Sequence, residues 1–229
     1  MDWSCQLGII VPSWNTVMEY ECSRMAPTGV SIHSSRIANT ERTMESRLHM
    51  VEVAPDAAGL LAHAKVKAIC FGCTGASFVR TGIDQEIIKR MEAATRTPCT
   101  TTTTAIVEAL RQLKAKSVAI SSPYHADQNE RMVTFLEYSG FKVVSQKELG
   151  MECPSYLPPD HAYRVACEAN RPEADVVIIS CTNFRSLEVI EQLEKDLGKP
   201  VVSSNTASMW KLLDLAGVKD RIAGAGQLF

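Results

Sequence analysis

Asp175-Val176-Val177-Ile178-Ile179-Ser180-Cys181-Thr182-Asn183 is a short β-branched apolar run that stops at a cysteine flanked by small polar residues. Such a run reads as a parallel strand buried on both faces that delivers a reactive group to its carboxyl end. The same device lies upstream in Val66 to Ser77, where the apolar stretch through Ile69-Cys70-Phe71 ends in Cys73-Thr74. Two strands ending in Cys-Thr make Cys73 and Cys181 the candidate reactive groups.

Outward from these strands the chain alternates strand and helix, the pattern of a parallel sheet covered on both faces. Leu7 to Pro12 is a first strand, followed by the polar turn Ser13-Trp14-Asn15-Thr16 and a helix over Val17 to Met25. Val30 to Ile37 alternates apolar and polar side chains, as a strand with one exposed face does. Thr40 to Val53 reads as a helix broken before Pro55, which then opens another helix to His63. After the Cys73 strand come a helix from Gly82 to Ala94, a short strand at Pro98 to Thr102, and a helix Ala105 to Lys114 capped by Thr103 or Thr104. Ser117 to Pro123 restarts the pattern with a strand, a turn carrying Tyr124 and His125, and a helix to Tyr138 closed by Gly140. A strand at Phe141 to Ser145 and an irregular stretch, Glu148 to Pro159, long enough to be a lid or substrate loop, come next. Then follow a helix Asp160 to Glu168, the Asp175 strand, a helix Ser186 to Leu197, a strand Pro200 to Ser203 and a helix Asn205 to Leu215 closed by Gly217.

The two halves align. Leu7 to Pro12 matches Val118 to Pro123, Cys73-Thr74 matches Cys181-Thr182, and Thr97 to Thr101 matches Lys199 to Ser203, at near-constant offsets of roughly 100 to 110 residues. The expected fold is α/β, with two pseudo-symmetric lobes, each a short mostly parallel sheet flanked by helices, and an active site in the cleft between them. The lobes are placed at 1–103 and 104–215, the C-terminal helix able to pack across, with 216–229 returning toward the first lobe.

The 229 residues carry a formal charge of -2 and a sequence pI near 6.2, which gives no general attraction to nucleic acid or anionic membranes. No apolar run approaches the length needed to span a bilayer, and Met1 to Gln6 lacks the basic region of a secretory signal, so a cytoplasmic protein is expected. Eight cysteines are scattered through apolar segments rather than set in a loop-rich scaffold, which reads as buried reduced thiols. Cys70 and Cys73 have Cys-x-x-Cys spacing, but no second such pair completes a zinc site. The threonine run 100–104 is explained by strand propensity and capping, and Glu188, Glu191, Glu194, Lys195 and Asp196 by a solvated helix face.

In open α/β sheets ligands bind beyond the carboxyl ends of the strands, so Cys73 and Cys181 are expected to approach one substrate from opposite sides. A thiolate at a helix start is favoured by the dipole and by free amides, which lowers its pKa without a histidine. The same amides suit carboxylates. Small dicarboxylate or α-substituted acid chemistry follows, the two thiols acting as an acid/base pair or as nucleophile and proton donor. On sequence alone, Asn15 reads equally as a turn former or helix cap, Tyr124 as a half-buried aromatic, and His125 as a solvated first-turn residue.

The paired Cys-Thr strand ends resemble the aspartate/glutamate racemase superfamily. Within it, Val11 to Glu19 (VPSWNTVME), Gly72 to Ser77 (GCTGAS) and Ser180 to Arg185 (SCTNFR) are most similar to maleate cis-trans isomerases, and the segment from Pro98, with Tyr124 and Asn129-Glu130-Arg131, also resembles the related arylmalonate decarboxylases. The resemblance implies that Cys73 adds as a thiolate to the substrate double bond and that Cys181 exchanges the proton at the neighbouring carbon. It implies that Asn15 and Tyr124 hold a carboxylate, with the backbone amides of Thr74, Gly75, Thr182 and Asn183. The decarboxylases lack the first cysteine, so Cys73 argues against their reaction. The isomerases carry a further substrate-binding asparagine in the loop corresponding to Met151 to Leu157, absent here. The expected activity is isomerisation of maleate or a close cis-unsaturated diacid without cofactor or metal, by a homo-oligomer, a dimer as the working guess, whose partner is a small carboxylic acid. The alternatives are a two-cysteine racemase of an amino acid or hydantoin, and a non-enzymatic small-acid binding protein.

Overall fold

A computed structural model describes residues 5–41, 43–151 and 154–229. Arg42, Glu152, Cys153 and the segment 1–4 lie outside the described residues, so the expectations placed on the N-terminal segment and on part of the Met151 to Leu157 loop are not addressed by it. Two four-stranded parallel sheets form. The first joins β1 (Cys5–Pro12), β2 (Val30–Ile37), β3 (Ala68–Phe71) and β4 (Cys99–Thr101) in the order β2-β1-β3-β4. The second joins β5 (Ser117–Ser122), β6 (Lys142–Glu148), β7 (Val176–Ile179) and β8 (Val201–Ser203) in the order β6-β5-β7-β8. The identical order is the expected internal repeat in structural form.

The central strands explain the apolar runs. β3 and β7 are buried along their whole length because helices cover both faces of each sheet. One face of the first sheet is covered by α2 (Met44–His63), whose Met50, Val51, Ala54, Ala58 and Leu61 pack with Ile10, Ile69 and Phe71. The expected break before Pro55 does not occur: α2 runs through it as one helix. The lost backbone bond costs a few kcal/mol, but the buried apolar stripe continues on both sides of the proline and outweighs that cost. Arg90 donates to the carbonyl of Glu52, one turn before the proline, at 3.0 Å.

The other face of each sheet is covered by a helix belonging to the other half of the chain. Met209, Leu212 and Leu213 of α9 (Ser204–Leu215) pack on Leu7, Ile9, Val11 and Cys70 of the first sheet, together with Ala225 from the C-terminal segment. Reciprocally, Ala105, Ile106, Ala109 and Leu110 of α5 (Thr102–Gln112) pack on Val118, Ile120 and Ile178 of the second. Each fully buried Leu or Ile in this exchange stabilises by about 1.5–3 kcal/mol, so the halves are tied through their cores.

The small connections repeat as well. The α5 cap is Thr101, whose hydroxyl accepts from the Thr104 amide, two or three residues earlier than expected, because β4 ends directly in the helix. Its counterpart Ser203 caps α9 in a capping box with Thr206. The threonines after Thr101 bond inward: Thr102 to the Phe71 carbonyl, Thr103 to the Ser77 carbonyl and Thr104 to Asp84. Glu194 departs from the solvated face assigned to its helix, accepting from the amides of Val201 and Gln227 and so fastening the C-terminal segment.

Candidate active site

Four strand ends converge between the lobes. Pro12 at the end of β1, Cys73 after β3, Pro123-Tyr124 after β5 and Cys181-Thr182 after β7 line one cavity of about 150 Å³, with Thr74, Gly75 and Arg47. The central strands of each sheet stop two residues before their cysteine, so the two sulfur-bearing residues open the loops at the sheet ends.

Cys73 has an extended backbone and stands at the start of the one-turn helix α3 (Thr74–Ser77), an element the sequence does not announce. It is nearly buried. Burial pushes its thiol pKa above the ordinary value, and the amides of Ala76 and Gly75 and the Arg47 guanidinium pull it part of the way back. The expectation of a lowered pKa is therefore corrected: one helical turn carries too small a dipole to offset desolvation. Cys181 is also nearly buried but has φ of 118°, a region that costs a non-glycine residue about 1–3 kcal/mol and is concentrated at functional sites. The conformation is held by the Cys181 amide donating to Ser204 Oγ at 2.9 Å and the Ser180 amide donating to the Ser121 carbonyl at 2.8 Å.

The same Ser204 Oγ accepts from Thr74 Oγ1 at 3.1 Å, and Thr182 Oγ1 donates to the Gly72 carbonyl at 3.0 Å. Each Cys-Thr pair is thus fastened to the other lobe. Tyr124 completes the enclosure, its ring edge-on to Phe78 of the first lobe at 6.0 Å. Burial and then the nearby Cys181 hold its hydroxyl far above the ordinary phenol range, so it remains a proton-bearing donor at neutral pH.

Of the residues read from the sequence, Cys73, Cys181, Thr74, Gly75, Tyr124 and Thr182 come together on the cavity wall. Asn15 and Asn183 stand behind it, both buried. Asn15 Oδ1 accepts from the amides of Val17 and Met18, opening helix α1 (Met18–Met25), and its Nδ2 donates to Thr182 Oγ1 at 3.0 Å. Asn183 Oδ1 accepts from the Thr16 amide at 2.9 Å. Both cross between the lobes. His125 is exposed at the start of α6 (Ala126–Tyr138), on the cavity rim. Cys70 is fully buried inside β3, with its pKa pushed up to about 12 by desolvation, and it is a free thiol, as is Cys73. No group of residues suited to hold a metal occurs among the described residues, and none of their helices is long and apolar enough to cross a membrane.

Three residues of this region carry no motif. Arg47 reaches the cavity from α2. Ser204 starts α9. Glu21, fully buried in α1, accepts from the amides of Ser186 and Leu187 at 2.7 and 2.9 Å and from Asn205 Nδ2 at 2.7 Å. An acidic residue in the first turn of a helix is commonplace in sequence, so only the fold marks Glu21.

Two parallel sheets of identical order, meeting over a small cavity walled by a thiol from each, define a two-lobed thiol enzyme. The arylmalonate decarboxylase family model matches residues 7–229. The chain is 30% identical to a maleate isomerase of Pseudomonas putida, over 97% of this chain and 96% of that one. It is 31% identical to an arylmalonate decarboxylase of Bordetella bronchiseptica, over 97% and 95%. Among solved structures, a maleate isomerase from Pseudomonas putida S16 superimposes with a TM-score of 0.93 at 26% identity, covering 98% of this chain and 97% of that one. The chain belongs to the arylmalonate decarboxylase family, in agreement with the resemblance carried by its cysteine motifs.

Proposed function

We propose that this enzyme isomerises maleate, or a close cis-unsaturated diacid, to the trans acid. The observation that carries the reading is the placing of Cys73 and Cys181 on one cavity, with the donors Arg47 and Tyr124 and the Thr74-Gly75 and Thr182 loops on the same wall. Its volume of about 150 Å³ is that of a cavity that accepts benzene, which suits a four-carbon diacid. The relatives named as maleate isomerases support the same substrate.

In this mechanism the Cys73 thiolate adds to C2, forming an S–C2 bond while the π electrons move to C3, which takes the Cys181 proton. The former double bond is now single and rotates. Cys181, now a thiolate, removes a proton from C3, the electron pair re-forms the double bond and Cys73 leaves as thiolate. Tyr124 and the amides of Thr74, Gly75, Thr182 and Asn183 hold carboxylate oxygens, and Asn15 acts through the Thr182 side chain it bonds. The reading takes 1–103 and 104–215 as the two lobes, with 216–229 returning to the first. It also takes the protein to be cytoplasmic, a homo-oligomer in the form of a dimer, and to act without a cofactor.

Proton NMR with maleate, citraconate, aspartate, glutamate and hydantoins tests the substrate. Conversion of maleate to fumarate is expected; solvent deuterium entering an α-position of an amino acid or hydantoin, with maleate untouched, makes the enzyme a racemase instead.

The raised Cys73 pKa sets the pH dependence. A thiol with a pKa above its ordinary value is protonated at neutral pH, and its thiolate fraction grows as pH rises. Between pH 7 and 9, kcat/KM for maleate is expected to rise about tenfold per pH unit. A flat profile over that window contradicts a protonated resting Cys73.

A further inference from the structure

Arg47 is a charged side chain at the reacting centre that the two-thiol chemistry does not use. It projects from the first turn of α2, half-buried, and lines the same cavity as Cys73, Tyr124 and Cys181. Its positive charge reaches the Cys73 sulfur, drawing that thiol toward ionisation.

The guanidinium is held by a neutral partner. Arg47 Nη2 donates to Gln128 Oε1 at 2.8 Å, from the first lobe to α6 of the second. Among the described residues no carboxylate lies within ion-pair distance of it. Asp127, on the same rim, turns outward with its side chain 70% exposed and lies 3.9 Å from Arg131. The Arg47–Gln128 pair sits directly over the reacting loop: a Cβ added at Gly75 would lie 2.5 Å from Gln128 Nε2 and 3.6 Å from Arg47 Nε. An arginine bonded to an amide beside a small cavity keeps its full capacity for a carboxylate, which it binds more strongly than an amide and in a two-point geometry.

We propose that Arg47 is the specificity-determining residue that demands a second negative charge on the substrate: its guanidinium exchanges the Gln128 amide for the distal carboxylate of a diacid whose near end lies between Cys73 and Cys181. This deepens the isomerase reading and rests on it for the placing of the near end. Gln128 is the partner that keeps the arginine extended across the cleft. The substrate class is then a short dicarboxylate, and monocarboxylic acids and monoamides of the same length are discriminated against.

Calorimetric binding of succinate and of its monoamide, succinamate, tests this without any turnover, so it stays informative if maleate is not the substrate. The wild-type protein is expected to bind succinate about 10- to 100-fold more tightly than succinamate, the worth of a charge-assisted pair. Arg47→Gln is expected to bring the two affinities within about threefold by weakening succinate alone, and Arg47→Lys to restore part of the preference. An unchanged succinate preference in Arg47→Gln, an equal loss for both ligands, or no preference in the wild type overturns the inference. Failure of maleate isomerisation with the preference intact removes the reaction and leaves the diacid subsite.

Discussion

Replacing Cys73 by serine is expected to lower the turnover of maleate by on the order of 10⁴-fold or more, with little change in stability. The hydroxyl keeps the shape of the thiol but is far harder to ionise, and the groups that pull on the Cys73 sulfur, the Gly75 and Ala76 amides and the Arg47 guanidinium, are donors rather than bases. Addition to a carbon–carbon double bond needs the anion, so the step is lost rather than slowed by misplacement. Because the side chain is replaced almost isosterically, the melting temperature is expected to stay within the shift of about 1 kcal/mol typical of a mild substitution. Steady-state rates and thermal melts of the variant check both halves. Residual activity within about tenfold of the wild type contradicts a nucleophilic Cys73.

Removing Glu21 is expected to produce the largest loss of stability of any single polar substitution near the site. Its carboxylate joins the first lobe to the loop beyond Cys181, through the Ser186 and Leu187 amides, and to the start of α9 through Asn205 Nδ2. Asn205 Nδ2 also donates to the Thr182 carbonyl at 3.2 Å, so the carboxylate steadies the Cys181-Thr182 turn at one remove. Glu21→Ala removes the acceptor of the Ser186 and Leu187 amides and of one Asn205 N–H, and breaking such a buried set costs about 3–5 kcal/mol. Glu21→Gln retains an acceptor and is expected to cost far less.

The charge of Glu21 has its own signature. Burial raises its pKa against the pull of the two backbone amides and Asn205. A carboxyl with a folded pKa above its unfolded value holds its proton more tightly when folded. Its contribution is therefore fully present below the unfolded pKa and falls as pH rises through the folded one. The neutral Glu21→Gln variant is expected to lose less stability than the wild type as the pH is raised from about 4.5 toward neutrality. Urea titrations across that range read both effects, and a loss below about 1 kcal/mol for Glu21→Ala contradicts the role of an inter-lobe pin.

What the sequence revealed was what strand burial and chain order dictate. Runs such as Val176 to Ile179 are apolar on both faces because a parallel sheet is covered on both, and their abrupt ends at Cys73-Thr74 and Cys181-Thr182 marked the cavity. The near-constant spacing of matched strands carried the two-lobe order. Less legible were features decided by partners distant in the chain. Pro55 breaks a helix by local rules, and only the buried stripe on either side carries α2 through it. The pKa of Cys73 follows from how much solvent the second lobe excludes, a quantity absent from the Cys-Thr motif. Arg47 and Glu21 occupy ordinary first-turn positions of amphipathic helices and acquire meaning from Gln128, Ser186 and Asn205, each supplied by the other half. Asn15 and Asn183, singled out by motif, stand behind the cavity because their amides span the lobes.

Covalent addition by Cys73 is the central claim, and intact-protein and peptide mass spectrometry of a Cys181→Ala variant incubated with maleate tests it most directly. In this variant water supplies the C3 proton in place of Cys181, and without a thiolate to remove it again the adduct has no efficient route to elimination and should accumulate. The expected result is a mass increase of one maleic acid, located on the peptide containing Cys73 and absent from a Cys73→Ser, Cys181→Ala double variant. An unmodified protein that still incorporates solvent deuterium into an acid substrate contradicts addition and leaves proton exchange between two thiols as the chemistry of this site.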